Sequence, residues 1–307
     1  MSTALLFPGQ GSQRVGMGKD LASQHEVARR TYEEADAALG FAISKLCWEG
    51  PDDQLTLTQH TQPAILTTSI AVFRVLAERG LMFDYVAGHS LGEWSALVAA
   101  GSLAFADAVR LTHLRGQYMQ EAVPVGQGAM AALIGLPLEA VRTLCAAASQ
   151  PGEPVEPANL NGGGQIVISG HTAAIDRAVA AAKPAGAKLA KKLVVSAPFH
   201  CSMMQPAADR LAVALAGVTV RPPSVPVVAN VTAEPTTDAA LIPKLLVQQV
   251  VAPVRWEESV QTLAKLGVTR ALELGSGAVL KGLVKRIADS IAVTSIGEPA
   301  DLAAFSA

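Results

Sequence analysis

The chain has 307 residues, of which 50% are hydrophobic and 16% charged, and its formal net charge is −2. This size and composition allow a large buried core, which excludes a disordered or fibrous protein. The weak net charge gives the chain as a whole no attraction to nucleic acid or to an anionic membrane, so we expect neither as its main partner.

The start of the sequence and the cysteine positions indicate the cellular compartment. The opening residues MSTALLFPGQG contain no basic leader, and no segment has the apolar length that a membrane span needs. We therefore expect a cytoplasmic protein. The three cysteines, Cys47, Cys145 and Cys201, are far apart and form no CxxC pair. This spacing is typical of reduced, buried thiols and predicts neither disulfides nor a metal site.

The first part of the chain alternates between predicted strands and helices. TALLF (3–7) is typical of a short buried strand that ends at Pro8, and DYVAGHS (84–90) predicts a second strand. Helical patterns between them cover residues 26–39 and 64–80.

Residues 127–195 follow a different order of strand, helix, strand, strand, helix and strand. The segments are AMAALIGL, LEAVRTLCAAAS, VEPANLN, QIVISG, AAIDRAVAAAKPAG and KLAKKLVV. This β-α-β-β-α-β order is a compact unit that can fold as its own lobe. Its edges, VPVGQGA and SAPFH, are rich in glycine or proline, as hinges between lobes tend to be. We therefore predict a ferredoxin-like insert.

Strands and helices alternate again after the insert. Strands are predicted at 225–230, 270–275 and 292–296, and helices at 256–266 and 278–289. Strands that alternate with long helices form a mostly parallel sheet covered on both faces. The sequence therefore predicts an α/β fold.

The two predictions combine into one domain organisation. An α/β-hydrolase-like catalytic domain with a parallel sheet is expected from residues 1–126 and 196–307. The smaller ferredoxin-like insert is expected at residues 127–195.

The motif GHSLG (88–92) has the G-x-S-x-G form of a nucleophile elbow. Two glycines allow a sharp turn from strand to helix that projects the serine upward, with backbone N–H groups of the helix N-terminus beside its oxygen. A simpler interpretation makes Ser90 the N-cap of the helix, with Glu93 three residues on completing a capping box. The motif alone leaves both interpretations open, because a nucleophilic serine also needs a base.

Six histidines could serve as that base: His25, His60, His89, His113, His171 and His200. His25, His60 and His171 lie at polar helix starts or in loops, so we expect them at the surface. A sharp turn directs His89 away from Ser90, so packing is its expected role.

His200 differs from the other histidines in its position along the chain. It lies between the predicted strand KLVVSAP and the helical segment MMQPAADRLAVAL, at the kind of strand end where sites in parallel sheets collect. We therefore expect Ser90 and His200 to form the nucleophile and base pair.

The loop after the first strand, GQGSQR (9–14), is rich in glycine but lacks the third glycine of G-x-G-x-x-G. This departure argues against a dinucleotide site. In serine hydrolases of this general shape, such a loop instead supplies a second backbone donor to the oxyanion at the serine.

Several motifs follow one another in a single order along nearly the whole chain. They are FPGQGSQ (7–13), GHSLGEWSALVAAG (88–101), RG with MQEAVP (115–124), GAMAALIG (128–135), QIVISG (165–170), APFHCSMMQPAAD (197–209) and PVRWEESV (253–260). Together they resemble the malonyl-CoA:acyl carrier protein transacylase family, the acyltransferases that load fatty acid and polyketide synthases. Motifs in the right order are far more specific than any one of them.

The resemblance implies a mechanism for the predicted pair. Ser90 attacks the thioester of malonyl-CoA to form a malonyl-enzyme, and His200 takes its proton and later returns it to the coenzyme A thiol. A backbone carbonyl near the position of Gln249 orients the histidine, so no acidic third member is needed.

The resemblance also implies roles for three further residues. The backbone N–H groups of Gln10 and Leu91 hold the oxyanion. Arg115, which by its spacing alone is an ordinary helix-surface arginine, grips the malonyl carboxylate with its planar fork.

Substrates and partners follow from the same resemblance. The expected partners are malonyl-CoA and acyl carrier protein, with no metal and no cofactor apart from the coenzyme A thioester substrate, and the family implies a monomer. Acyl carrier proteins are acidic, which makes basic surface residues candidate docking charges. These are Lys188, Lys191, Lys192, Lys281, Lys285 and Arg286.

Three alternatives remain at this point. A serine esterase or thioesterase would use the same elbow but release the acyl group to water. A noncatalytic scaffold would retain the elbow only as structure. A transacylase of a polyketide synthase or a malonate decarboxylase system would perform the same reaction on a different carrier protein.

Overall fold

Two separate β-sheets organise the chain in the computed structural model, which describes residues 2–195 and 197–303. The strands, in chain order, are β1 (Ser2–Phe7), β2 (Tyr85–Gly88), β3 (Gly128–Ile134), β4 (Val155–Leu160), β5 (Gln165–His171), β6 (Leu189–Lys192), β7 (Val227–Val228), β8 (Pro235–Thr236), β9 (Val268–Leu274) and β10 (Ala292–Ile296). The helices are α1 (Lys19–Gln24), α2 (Glu26–Leu39), α3 (Ile43–Glu49), α4 (Asp52–Thr56), α5 (Thr58–Glu78), α6 (Leu91–Ala99), α7 (Phe105–Glu121), α8 (Leu138–Ala148), α9 (Thr172–Ala182), α10 (Gln205–Leu215), α11 (Ile242–Val251), α12 (Trp256–Lys265), α13 (Val279–Ile287) and α14 (Pro299–Ala303).

The larger sheet has the strand order β10-β9-β1-β2-β7-β8 and is parallel except for its last pair. Successive side chains of a strand point to opposite faces. In β1, Leu5 and Phe7 join one hydrophobic cluster, whereas Ala4 and Leu6 join another. Both faces of the sheet are therefore covered, which confirms the predicted α/β fold.

The smaller sheet is antiparallel, with the order β4-β5-β3-β6. Its apolar side chains, including Leu133 and Ile168, form a hydrophobic cluster of their own with those of α8 and α9, such as Ile175. The predicted β-α-β-β-α-β order is confirmed, and all four strands fall within the segment predicted as the ferredoxin-like insert. The exact limits of the two lobes stay a prediction.

Two predicted strands are shorter than expected. The strand predicted at 225–230 pairs with β2 only at Val227 and Val228, because the chain then turns and Asn230 directs its side chain to the start of α6. The strand predicted before His200 ends at Lys192. Since β6 belongs to the antiparallel sheet, the expectation that His200 follows a strand of the parallel sheet was wrong. His200 nevertheless lies at the end of the parallel sheet, because it contacts Ser90 just after β2.

The turn between β2 and α6 is built on two glycines that admit no side chain. A Cβ atom at Gly92 would lie 1.9 Å from the carbonyl oxygen of Phe7, and one at Gly88 would lie 1.9 Å from the backbone of Gly92. The helix can thus begin directly against the end of β1. This close approach is the physical reason for the two glycines of the G-x-S-x-G motif.

The described residues also test the expectations about membrane spans and cysteines. None of their helices combines the length and apolar character needed to cross a membrane. Cys47, Cys145 and Cys201 are free and buried, as their spacing predicted.

The elbow glycine yields a stability prediction. We expect Gly92→Ala to lower the free energy of unfolding by more than about 3 kcal/mol, because the new Cβ must push the end of β1 away from α6. Urea unfolding followed by circular dichroism measures this loss.

Gly282→Ala is the matched control. Gly282 lies inside α13, and a Cβ there meets no atom within 4 Å. We expect this change to raise stability by about 0.5–1 kcal/mol. Equal effects of the two substitutions would contradict the steric account of the elbow.

Candidate active site

Ser90 occupies the elbow in a strained backbone conformation. Its φ is 52°, and among the described residues only two other non-glycine residues, His200 and Ala233, have positive φ. The Ser90 N–H donates to Oδ1 of Asn230 at 2.7 Å, and its side chain makes no capping hydrogen bond to α6. The interpretation of Ser90 as a capping-box residue is therefore wrong, and its hydroxyl is free for another partner.

That partner is His200. The Oγ of Ser90 lies 2.7 Å from Nε2 of His200, and Nδ1 of the same ring lies 2.8 Å from the backbone oxygen of Gln249. A carbonyl oxygen can only accept a hydrogen bond, so Nδ1 carries the proton and Nε2 is left to accept from the serine hydroxyl. The geometry is that of a serine activated by an oriented imidazole.

Arg115 reaches the same serine from the protein interior. It is buried, not on the helix surface, and its Nη2 donates to Oγ of Ser90 at 3.1 Å and to Oε1 of Gln249 at 3.0 Å. Its Nη1 donates to Oε1 of Gln62 at 2.6 Å. Its Nε is buried without a hydrogen-bond partner among the described residues.

Two further buried residues complete the cluster: Glu93, for which the sequence suggested only a capping role, and Asn230, for which it suggested none. The Glu93 carboxylate accepts from the backbone N–H of Asn230 at 3.0 Å and from Nε2 of Gln249 at 2.7 Å. Asn230 also donates its side-chain amide to the Gly88 carbonyl oxygen at 2.7 Å. A glutamate within the otherwise apolar helix LGEWSALVA was the available signal for Glu93. No comparable pattern marked Asn230.

Burial shifts the pKa values of three groups in this cluster. Burial, aided by the Arg115 cation, lowers the pKa of His200 to about 3. Burial raises the pKa of Glu93 to about 7, although hydrogen bonds from Asn230 and Gln249 oppose the shift. Burial also lowers the pKa of Arg115 to about 10, so its guanidinium stays charged at neutral pH.

The loop after β1 packs against the elbow, as the sequence predicted. The His89 N–H donates to the Phe7 carbonyl oxygen at 3.0 Å, and a Cβ at Gly9 would lie 2.5 Å from the His89 carbonyl oxygen. Gln10 follows Gly9 and lines the cavity beside Ser90. Leu91 begins α6, so the helix offers its N–H no acceptor.

A cavity of about 570 Å³ opens over the serine. Its walls come from the loop after β1, from α7, from the small sheet and from the segment that follows β6. They include Ser90, His200, Met119, Phe199 and Leu193. Arg115 is not among the lining residues, so it contacts the serine from behind the cavity wall.

The remaining histidines stay outside the serine's hydrogen-bond network. His25, His60 and His171, which were expected at the surface, are half-buried. His89 packs against Trp256, with ring centroids 5.6 Å apart, and its Nε2 lies 2.9 Å from Oδ1 of Asn161, so it packs as predicted.

Comparisons with known proteins agree with this geometry. Residues 4–301 match the acyl transferase domain family. The malonyl CoA-acyl carrier protein transacylase of Salmonella typhimurium is 50% identical over 98% of this chain and 97% of its own. The solved transacylase of the same name from Coxiella burnetii is 44% identical, with a TM-score of 0.96 over 99% of this chain and 96% of its own.

A further solved relative includes its partner. It is a malonyl-transacylase in complex with a type II polyketide synthase acyl-carrier protein, 46% identical, with a TM-score of 0.96 over 99% of this chain and 98% of its own. The family match spans nearly the full length of the chain, and the relatives match it over both sheets. The chain therefore belongs to the acyl transferase family, as a relative of the malonyl CoA-acyl carrier protein transacylases.

Proposed function

We propose that this protein transfers the malonyl group of malonyl-CoA to the phosphopantetheine thiol of acyl carrier protein, supplying fatty acid synthesis. The observation that carries the proposal is the position of one serine oxygen. The Oγ of Ser90 lies between a neutral base, Nε2 of His200, and a buried cation, Nη2 of Arg115. The base supports acyl transfer, and the cation supports an acyl group that ends in a carboxylate.

The first half-reaction loads the serine. Oγ of Ser90 attacks the thioester carbonyl carbon while Nε2 of His200 takes the hydroxyl proton. The carbon–sulfur bond then breaks, and the imidazolium returns the proton to the coenzyme A sulfur. The Gln249 carbonyl oxygen orients the ring and stabilises the imidazolium that forms, which is the task of an aspartate in other serine enzymes.

The tetrahedral intermediate needs donors for its oxyanion. We propose that the backbone N–H groups of Gln10 and Leu91 supply them. The close packing of the loop after β1 on the elbow supports this assignment, since Gln10 lines the same cavity as Ser90 and Leu91 follows Ser90 directly at the start of α6. Such preorganised donors need no rearrangement during the reaction.

Arg115 selects the acyl group in this proposal. Its Nη2 faces Ser90, and its Nε has no hydrogen-bond partner within residues 2–195 and 197–303. These two nitrogens form one edge of the guanidinium fork. A malonyl carboxylate on Ser90 can pair with that edge through two parallel hydrogen bonds. An acetyl group offers the buried Nε no acceptor, which costs roughly 1–3 kcal/mol.

The second half-reaction passes the malonyl group to the carrier. The phosphopantetheine thiol gives its proton to His200 and attacks the malonyl-serine, whose oxygen leaves and recovers the proton, so the kinetics are ping-pong. The active unit in this proposal is a monomer.

Exposed apolar and basic residues support docking of an acidic carrier. Leu193, Val194 and Val195 are exposed and line the cavity mouth, directly after β6. All six basic candidates are exposed, and of these Lys192 pairs with Asp176. The candidates are Lys188, Lys191, Lys192, Lys281, Lys285 and Arg286. We propose that they attract the carrier, while the apolar segment contacts its phosphopantetheine arm.

The other functions considered are not favoured. His200 pairs with a carbonyl oxygen and not with the carboxylate that a thioesterase more often carries. A scaffold would not need Ser90, His200 and Arg115 in contact. The curated relatives that cover the chain carry the transacylase name.

Mass spectrometry of the intact protein tests the function. After brief mixing with malonyl-CoA, we expect the wild type to gain one malonyl group, to keep it in water and to lose it to added acyl carrier protein. Ser90→Ala should gain none, because it lacks the nucleophile. An adduct that hydrolyses at once, or one that persists in Ser90→Ala, would sink the proposal.

Substitution of Arg115 tests the origin of acyl selectivity. We expect Arg115→Ala to lower the malonylation rate by about 10- to 100-fold, because a hydrogen bond to a charged group is lost. Acetylation should not fall in parallel, so the malonyl-to-acetyl ratio should drop. Rapid-quench kinetics with both thioesters measure the ratio.

Two variants control for the Arg115 substitution. Arg110→Ala removes an exposed arginine of the same helix, which pairs with Asp107, and should leave the ratio unchanged. Arg115→Lys keeps the charge without the fork and should recover only part of the rate. An unchanged ratio in Arg115→Ala would rule out carboxylate recognition by Arg115.

The depressed pKa of His200 predicts that its imidazole is neutral and ready to accept a proton throughout the neutral range. In NMR of ¹⁵N-histidine-labelled protein, we expect the His200 ring to show no protonation above about pH 5, since its pKa is about 3. His200→Ala identifies the signal. Titration near pH 6.5 would contradict the account.

The lowered pKa of His200 also makes the folding stability depend on pH. Between pH 3 and 6.5 the unfolded chain protonates this histidine and the folded chain does not. The contribution of His200 to stability is therefore lost as the pH falls below 6.5, and it is fully present above that value.

A further inference from the structure

A buried carboxylate stands behind the nucleophile and takes no direct part in the proposed chemistry. Glu93 lies one helical turn beyond Ser90 and is only 3% exposed. Its Oε2 accepts both the backbone N–H of Asn230 and the side-chain amide of Gln249. A carboxylate is costly to bury unless it is hydrogen-bonded. The two hydrogen bonds explain how Glu93 can be buried, but not what it contributes to the active site.

Each partner of Glu93 holds a different part of the active site. Gln249 orients His200 with its backbone oxygen, and its Nε2 also donates to the Ser90 carbonyl oxygen at 3.1 Å. Asn230 accepts the Ser90 N–H with its Oδ1. The nucleophile and its base are thus fixed by two residues that share one carboxylate.

The Gln249 side chain also links Glu93 to Arg115. Its Nε2 donates to Glu93, and its Oε1 accepts from Nη2 of Arg115. The buried carboxyl group and the buried guanidinium therefore interact through one amide, whose orientation is set because its NH₂ end donates to Glu93. This orientation leaves the amide oxygen for the guanidinium.

We propose that Glu93 is a positioning residue for acyl transfer: its carboxylate fixes Gln249 and Asn230, and through them it aligns His200 and Arg115 on Ser90. The inference deepens the proposed function and rests on it for the identity of the acyl group. The alignment of Ser90 with His200 can be measured without malonyl-CoA.

Three substitutions of Glu93 separate the effect of its side-chain length from the effect of its negative charge. Glu93→Gln keeps the length and one accepting oxygen but removes the charge. Glu93→Asp keeps the charge but is one methylene shorter, so its carboxylate cannot reach both Asn230 and Gln249 from α6. Glu93→Ala removes both properties.

Glu273→Gln is the matched control. Glu273 is also fully buried, and it accepts the backbone N–H groups of Leu280 and Lys281 and the hydroxyl of Ser295. It lies on β9, two strands away from β2 in the larger sheet. Glu273→Gln therefore measures how much the reaction rates change when a buried glutamate outside the active site is altered.

The first measurement is the rate at which a fluorophosphonate probe labels Ser90, with Ser90→Ala as the blank. We expect Glu93→Asp and Glu93→Ala to label about tenfold more slowly than the wild type, and Glu93→Gln to stay within about threefold. Glu273→Gln should label at the wild-type rate. Melting temperatures establish that each variant is folded.

The second measurement is the ratio of malonylation to acetylation rates. We expect the ratio to fall in Glu93→Asp and Glu93→Ala, because the Gln249 amide no longer holds Arg115, and to be unchanged in Glu273→Gln. A merely structural role for Glu93 would lower both rates equally and leave the ratio constant.

The outcomes are distinguishable. Wild-type labelling rates in folded Glu93→Asp would overturn the inference, as would an equal loss in Glu273→Gln. If Glu93→Ala does not fold, the comparison of Glu93→Asp with Glu93→Gln decides. If the wild type reacts with fluorophosphonate but forms no malonyl adduct, the proposed function fails while the labelling rates still test Glu93.

Discussion

The positive φ of Ser90 is the constraint on which the rest of the site depends. A non-glycine residue in such a conformation costs on the order of 1–3 kcal/mol and persists only where its surroundings hold it. Here the surroundings are the two glycine contacts of the elbow and the hydrogen bond from the Ser90 N–H to Asn230. The strain turns the serine side chain away from α6 and toward His200.

His200 shares this property, with a φ of 60°. The ring is then held from behind by the Gln249 carbonyl oxygen, so the serine and the histidine are each fixed in an unfavoured backbone conformation by a neighbouring element. A site preorganised in this way needs little rearrangement when the acyl group arrives. The cost of the strain is met by the packing of two sheets and their helices.

Electrostatics in the site are organised around one buried cation. A buried guanidinium is tolerated only when its charge and donors are satisfied, and Arg115 has the amide oxygens of Gln62 and Gln249 and the Ser90 hydroxyl. Its Nε, which has no hydrogen-bond partner in the part of the chain that the structure describes, is where the proposed malonyl carboxylate would bind. The same cation helps to keep His200 neutral, so the proposed recognition of the malonyl carboxylate and the protonation state of the proposed base both depend on Arg115.

Much of this arrangement could be predicted from the sequence. The alternation of strands and helices indicates the parallel sheet, and the β-α-β-β-α-β order of the insert indicates the antiparallel one. The GHSLG motif indicates the elbow, and the family resemblance pointed to His200, Arg115 and Gln249, which the fold brings together.

The rest depends on contacts that local pattern does not record. Spacing alone placed Arg115 on a helix surface, because the burial of α7 arises from its packing against α5 and α10. Asn230 acts only because β7 ends after two residues and the chain turns toward the elbow. Glu93 matched a capping box by sequence, yet tertiary hydrogen bonds with Asn230 and Gln249 take precedence.

A crystal structure of the enzyme trapped after reaction with malonyl-CoA would show whether Arg115 binds the malonyl carboxylate. The account predicts an ester at Oγ of Ser90, with the malonyl carboxylate on the Nε and Nη2 edge of Arg115 and the carbonyl oxygen facing the N–H groups of Gln10 and Leu91. A malonyl group bound elsewhere, or a carboxylate directed into the open cavity away from Arg115, would contradict it.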